Sequence, residues 1–264
     1  MKWPIAAAAL VVATPAAAQD LRDYCPDRPG LGTPACTIDK GHVSVETSVA
    51  DWTLDKQADS RTDTLLIGDT TVRVGVADNV ELRVGWTPFG HERTRDRITG
   101  AIDSRDRVGD VSFGAKINLL NPDGDKLSIA VLPYATLPVG RSPIGAGDWG
   151  AGLVLPVTYE LTDALSLEAV PEVDAAVDED GDGRHLQYSA VGGLSYKLSK
   201  AVTLTGEGQV IRDNDPEDHA TQALAALSVA WQAKDDLQFD VQGNAGLNHA
   251  APDVELVAGI AKRF

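Results

Sequence analysis

The chain has 264 residues, a formal net charge of −16 and 43% hydrophobic but only 5% aromatic residues. That charge excludes a nucleic-acid partner, because phosphate binding draws its affinity from clustered lysine and arginine. The 25 glycines suit many turns and closely approaching strands, and two cysteines alone are too few ligands for a closed zinc site.

The first element reads as an export signal over residues 1–18. Lys2 supplies the charge, Ile5 to Val12 the apolar core, and Ala16-Ala17-Ala18 the small residues before cleavage ahead of Gln19. Pro4 and Pro15 bracket an apolar run about half the roughly 20 residues that a spanning helix needs. No later run reaches that length, which leaves a soluble fold or a closed barrel. Residues 19–41 form a Pro- and Gly-rich segment carrying Cys25 and Cys36. Export puts both in an oxidising compartment, where a disulfide is expected, with a metal or redox pair as the alternative. The segment is expected on the periplasmic side, either plugging a barrel or touching the cell wall.

From residue 42 to 264 the chain alternates apolar and polar residues, the signature of strands with two different faces. Strands are expected near residues 43–52, 64–77, 79–88, 108–120 and 126–139. They continue with Leu153 to Leu161, Leu165 to Asp174, Leu186 to Leu198, Val202 to Val210, Leu227 to Ala233, Leu237 to Leu247 and Val254 to Phe264. Pro133, Pro138, Pro156 and Pro171 weaken individual strands, since proline donates nothing to a ladder.

Tight turns at Asp78-Asn79, Asn121 to Asp125, Thr162-Asp163, Ser199-Lys200 and Lys234 to Asp236 alternate with longer polar segments near 53–63, 89–107, 140–148, 178–185, 212–219 and 248–253. Short turns on one rim, long loops on the other and an even strand count describe bacterial outer-membrane barrels. The expected fold is therefore all-β: an antiparallel up-and-down transmembrane barrel of about twelve strands. Tyr159, Tyr196, Trp231 and Phe239 lie on apolar faces near the short turns and, with Phe264, would form an interfacial girdle.

Several stretches together resemble the outer-membrane transporter family named for the meta-pathway of phenol degradation. They are Cys25-Pro-Asp-Arg-Pro-Gly ahead of Cys36, Val72 to Trp86 with Glu81 and Arg83, Gly109-Asp110-Val111-Ser112-Phe113-Gly114-Ala115-Lys116, and Leu132-Pro133-Tyr134-Ala135-Thr136-Leu137-Pro138. The resemblance implies an outer-membrane location and involvement with aromatic compounds, and it brings no catalytic motif. Phe264, with Ile260, Ala258 and Leu256 before it, also resembles the C-terminal signal read by the barrel-assembly machinery, from which Lys262 departs.

If the apolar faces meet lipid, Arg73, Glu81, Arg83, Asp110, Lys116, Glu160, Glu168, Glu172, Asp174, Lys197, Glu207 and Asp240 line the lumen, because Arg or Lys facing mid-bilayer costs about 2–4 kcal/mol. That lining would set selectivity, or would be an ion-pair network that fills a narrow barrel. Asp178 to Gly183 copies the start of a calcium loop, but Ser189 stands where its twelfth ligand belongs, so no metal site is assigned. Arg93, Arg95, Arg97, Arg105 and Arg107 stand among acids, as a zwitterionic exposed loop or, as the alternative, a contact for anionic lipid headgroups.

The function expected is an outer-membrane channel or passive transporter for small solutes, hydrophobic or aromatic ones among them. It has no cofactor, no nucleotide-binding motif and no enzymatic role. Its partners would be outer-membrane lipid, lipopolysaccharide and the barrel-assembly machinery. Two alternatives stand beside it. One is a closed barrel with a structural or binding role, and the other an outer-membrane hydrolase built on a loop serine, Ser104 or Ser142, and one of His42, His91, His185, His219 or His249.

Overall fold

The computed structural model describes residues 21–264 except Asp182, so the expected export signal lies outside the described residues. No described helix is long and apolar enough to cross a membrane, and strands make every crossing. They are β1 (Val43–Lys56), β2 (Ser60–Ile67), β3 (Asp69–Ala77), β4 (Val80–Trp86), β5 (Phe89–Asp96), β6 (Ile102–Arg107), β7 (Val111–Leu120) and β8 (Leu127–Leu137). The second half holds β9 (Gly150–Val154), β10 (Val157–Thr162), β11 (Leu165–Val177), β12 (Arg184–Lys197), β13 (Val202–Arg212), β14 (Thr221–Lys234), β15 (Leu237–Gly246) and β16 (Val254–Arg263).

These segments make twelve antiparallel crossings, because four are interrupted. β2 and β3 lie end to end along β1, on either side of Gly68, and β4/β5, β6/β7 and β9/β10 are broken in the same way. β1 pairs with β16 from Ser44↔Arg263 to Leu54↔Val254, which closes the barrel. Main-chain bonds between Val43 and Phe264, 3.1 and 2.7 Å, finish that seam. Closure removes the unpaired edge that a bilayer forbids.

Two of the expected loops are instead mostly strand. Residues 53–63 contain the ends of β1 and β2 around a short turn, and residues 89–107 contain the β5–β6 hairpin. There the alternation is of polar with polar (Thr62, Thr64, Glu92, Thr94), so periodicity of hydrophobicity is silent where both faces of a strand meet water. The prolines are accommodated where ladders already fail. Pro156 lies in the β9/β10 break, Pro171 lies opposite that break, and beside Pro133 the β7–β8 pairing lapses between Gly114↔Tyr134 and Ile117↔Val131 without a change of register.

The faces follow the pleat. On β12, Leu186, Tyr188, Ala190, Gly192, Leu194 and Tyr196 are exposed while the residues between them are less so. Outward faces carry the exposed Leu82, Val84, Leu167, Val173, Leu227, Val241 and Leu256, a belt suited to lipid. Tyr159, Tyr196, Trp231, Phe239 and Phe264 are exposed at the short-turn end, with Trp231 and Phe239 stacked at 5.7 Å, and Trp86, Phe89, Trp149 and Tyr188 are exposed nearer the other rim. Tyr188 and Tyr196 are separated by about 27 Å of strand at 3.3–3.4 Å per residue. With a tilt of 35–45° that is roughly 20 Å of height, close to the apolar band of an outer-membrane barrel. This architecture, closed, antiparallel, greasy outside and polar inside, is that of a bacterial outer-membrane protein.

Candidate functional site

The interior is where sequence and structure meet most informatively, because residues 21–42 run inside it. Cys25 and Cys36 form a disulfide that closes a loop of the intervening residues, and that loop projects into the lumen from the short-turn end. The main chain of Thr37 bonds to Pro122 and the main chain of Gly41 to Gly75, anchoring the segment at that rim. Gly75 is a requirement of this anchoring, since a Cβ there would collide with the Asp39 carbonyl. Of the two placements expected for the segment, plug and cell-wall contact, the geometry is that of a plug.

Neighbouring residues of opposite charge fasten the plug to two stretches of wall on either side of β1. Asp27 faces a basic wall: it accepts from Lys116 Nζ at 2.7 Å, pairs with Arg73 at 3.3 Å and pairs with Arg83. Arg73 is itself bidentate to Glu81, 2.9 Å twice, and reaches Glu46 at 2.7 Å; Arg73, Glu81 and Lys116 are wholly buried. The wall thus presents three cations and two carboxylates, and Asp27 supplies the third negative charge. Burial alone would raise the Asp27 pKa, but the three cations overcome it and hold the group well below the usual carboxylate range.

Arg28 faces an acidic wall, donating to Asp240 at 2.9 Å and to Ser48 at 2.8 Å. The next residues use backbone donors. Gly30 N–H bonds to Gln242 at 2.7 Å, and the N–H groups of Leu31 and Gly32 both bond to Glu207, at 2.9 and 3.0 Å. Gly32 lies against Val170, Val191 and Glu168.

The tip of the plug meets an apolar patch inside the barrel. Leu132, Val154, Val170 and Val191, all on inward faces, form a buried cluster against which Leu31 and Tyr134 pack. Beside it Tyr134 donates between Glu172 (2.8 Å) and Asp174 (2.5 Å). Between the plug and β10–β14 lies a cavity of about 930 Å³ whose far wall carries Thr158, Ser166, Ser195, Thr203 and Thr205. It ends at Gly32 and Glu168, where the tip meets the wall.

The twelve residues expected in the lumen divide into groups. Arg73, Glu81, Arg83, Lys116, Glu207 and Asp240 hold the plug. Glu160, Glu168 and Lys197 line the cavity, and Glu172 and Asp174 bind Tyr134. Asp110 instead accepts from Gly140 and Ala146 at 2.8 and 2.7 Å, tying the β8–β9 loop to the wall. Sequence reasoning missed Glu46, Asn118, Tyr134 and the apolar patch. The alternation of Ser44, Glu46 and Ser48 with Val43 and Val45 could have found Glu46. Val170 and Val191 share the parity of Glu168 and Ser189 and were legible as inward, whereas Leu132 stands in an apolar run where both faces look alike.

Among the described residues no histidine is hydrogen-bonded to a serine. His91 bonds to Asp106 and His185 to Asp178.

Comparison with known proteins agrees with the barrel. An outer-membrane channel from Pseudomonas putida F1 superposes with a TM-score of 0.66 at 15% identity, covering 84% of this chain and 95% of that one. The KdgM porin superposes at 0.52 with 13% identity over 84% and 99% of the two chains. The translocator domain of the autotransporter NalP from Neisseria meningitidis superposes at 0.52 with 14% identity over 84% and 88%. At such identities the likeness is one of fold. A search of curated proteins found no match. A protein-family model matches residues 26–264, from inside the plug loop to the terminal phenylalanine, and the chain therefore belongs to the family described as "Putative MetA-pathway of phenol degradation".

Proposed function

We propose that the protein is a passive outer-membrane channel for small solutes, hydrophobic or aromatic ones among them, whose path runs past the tip of the docked plug. The observation that carries this reading is the apolar patch of Leu132, Val154, Val170 and Val191 inside an otherwise polar lumen, covered by Leu31 and adjoining the 930 Å³ cavity. An apolar surface at the edge of a wet cavity is where a small hydrophobic solute gains by leaving water. The family's description accords with such solutes.

In this reading residues 1–18 are an export signal removed before folding, and the short-turn rim, with the plug's entrance, faces the periplasm. The long-loop rim meets lipopolysaccharide, and Phe264, exposed beside the closing seam, is read by the barrel-assembly machinery. The chain works without catalysis.

The test is conductance and liposome swelling with the refolded mature protein, once heat-modifiable gel mobility has established a folded barrel. Discrete conductance together with entry of small aromatic solutes supports the channel. A folded barrel that passes neither ions nor solutes overturns it in favour of the closed structural or binding role, which the extent of plug contact would then explain.

A further inference from the structure

Away from the plug, at the long-loop rim, two loops and the start of β12 converge on one imidazole. His185 is 6% exposed at its side chain. Its Nδ1 lies 2.9 Å from Asp178 Oδ1 and 3.5 Å from Asp215 Oδ2, and its Nε2 lies 2.6 Å from Asp213 Oδ1. Asp178 comes from the β11–β12 loop, and Asp213 and Asp215 come from the β13–β14 loop. The three groups Asp178, His185 and Asp215 can each bring one ligand atom within 4.8 Å of the others.

Both ring nitrogens therefore face carboxylate oxygens. A neutral imidazole has one N–H and one lone pair, so one of its nitrogens would point a lone pair at an anion. Nε2 makes no hydrogen bond despite its closeness to Asp213. Among the described residues the ion pairs of Asp178, Asp213 and Asp215 reach His185 and no lysine or arginine. The nearby cations are engaged elsewhere: Arg184 with Asp148 and the Trp149 ring, Arg212 with Asn214 and Thr221. Three carboxylates thus converge on one buried ring, with no described lysine or arginine among their ion pairs. A cavity of about 470 Å³ opens beside it, lined also by Glu179, Asp218 and His249.

The donor set and its spacing suit a small divalent cation. Ligands about 2.0–2.1 Å from a tetrahedral zinc stand about 3.3 Å apart, and the two Nδ1 to carboxylate distances fall on either side of that value. The carboxylate on the opposite nitrogen is the outer partner that commonly fixes a ligating imidazole's tautomer and orientation. The backbone is shaped for this. Gly181 and Gly183 adopt φ of +79° and +123°, turning the loop back, and a Cβ on Gly183 would collide with the Asp178 carboxylate. Asp215 accepts backbone N–H groups from Glu217 and Glu179 at 2.8 and 2.7 Å, which fix its carboxylate beside the ring.

We propose that Asp178, His185 and Asp215 bind a divalent transition-metal ion of the zinc class, with Asp213 orienting the ring, and that this ion staples the β11–β12 loop to the β13–β14 loop at the long-loop rim. An imidazole among oxygens selects borderline ions over calcium, which takes oxygen ligands throughout. The incomplete calcium loop of Asp178 to Gly183 thus contributes one carboxylate to a different site, completed by a histidine and a second loop.

The experiment is calorimetric titration of the chelator-stripped, refolded mature protein with zinc chloride, and separately with calcium chloride. One zinc per chain is expected, calcium binding at least tenfold more weakly. His185→Ala should weaken zinc by roughly 100-fold or more, since even outer-shell changes cost 10- to 100-fold, while His91→Ala leaves it unchanged. Undiminished binding in His185→Ala, or no stoichiometric zinc at all, overturns the proposal. If His185→Ala fails to fold, X-ray absorption of the zinc-loaded wild type decides. A nitrogen among oxygens at about 2.0 Å supports the site, and an all-oxygen shell overturns it.

Discussion

Asp27 is the residue on which the docking of the plug depends most, and Asp27→Asn isolates that dependence. The variant keeps the side chain's size and its hydrogen-bonding oxygen but removes the only charge that the plug contributes to the Arg73, Arg83, Lys116, Glu46 and Glu81 cluster. Breaking a buried ion pair by removing one partner costs about 3–5 kcal/mol. At about 1.4 kcal/mol per factor of ten, the undocked plug becomes between roughly a hundredfold and a few thousandfold more populated. The retained amide oxygen argues for the lower end of that range. The amides of Gly30, Leu31 and Gly32, bonded to Gln242 and Glu207, report docking directly. Hydrogen exchange of a peptide covering residues 26–36 should accelerate by that factor, while exchange of β12 and β13 stays unchanged. Equal protection in variant and wild type would refute the view that this cluster holds the plug.

Further expectations follow from the same geometry. Because the Asp27 pKa is depressed in the folded protein, its stabilisation is complete above the unfolded carboxylate value near 4 and declines only as pH falls below it. Plug protection corrected for intrinsic exchange should thus be flat from pH 7 to 5, and a loss within that window would assign the control to another group. Reducing the Cys25–Cys36 disulfide removes the constraint on a loop of this length, worth about 3 kcal/mol in the chain-entropy account. The same peptide should then exchange faster while the barrel's heat-modifiable mobility persists. Leu31→Asp places a charge on the apolar patch beside Glu168 and Glu207; solute entry should rise as the tip lifts, and unaltered conductance and swelling would separate the tip from the path. Val241→Arg puts a cation at the middle of an outward face of β15. It should cost about 2–4 kcal/mol in denaturant-controlled folding into vesicles, and a change under 1 kcal/mol would mean that this face does not meet lipid.

What the sequence by itself determined is the barrel. Alternation along segments such as Leu186 to Tyr196 and the pairing of short turns with long loops depend only on the pleat and on lipid outside with water inside. Both are local rules that each strand obeys independently, so about twelve strands were countable and Arg73, Glu81, Lys116, Glu207 and Asp240 could be assigned to the inner face. The β5–β6 hairpin escaped because, beyond the lipid belt, neither face is apolar and the alternation that reveals a strand disappears. Tertiary structure alone decided what fills the barrel. Asp27 meets Lys116 across 89 positions and Arg28 meets Asp240 across 212, and no periodicity encodes which lumen charge awaits a partner from a segment with no strand pattern of its own. The same holds for His185 and Asp215: each reads as a loop residue, and only the folding of two loops over one rim puts a carboxylate on each side of a buried ring.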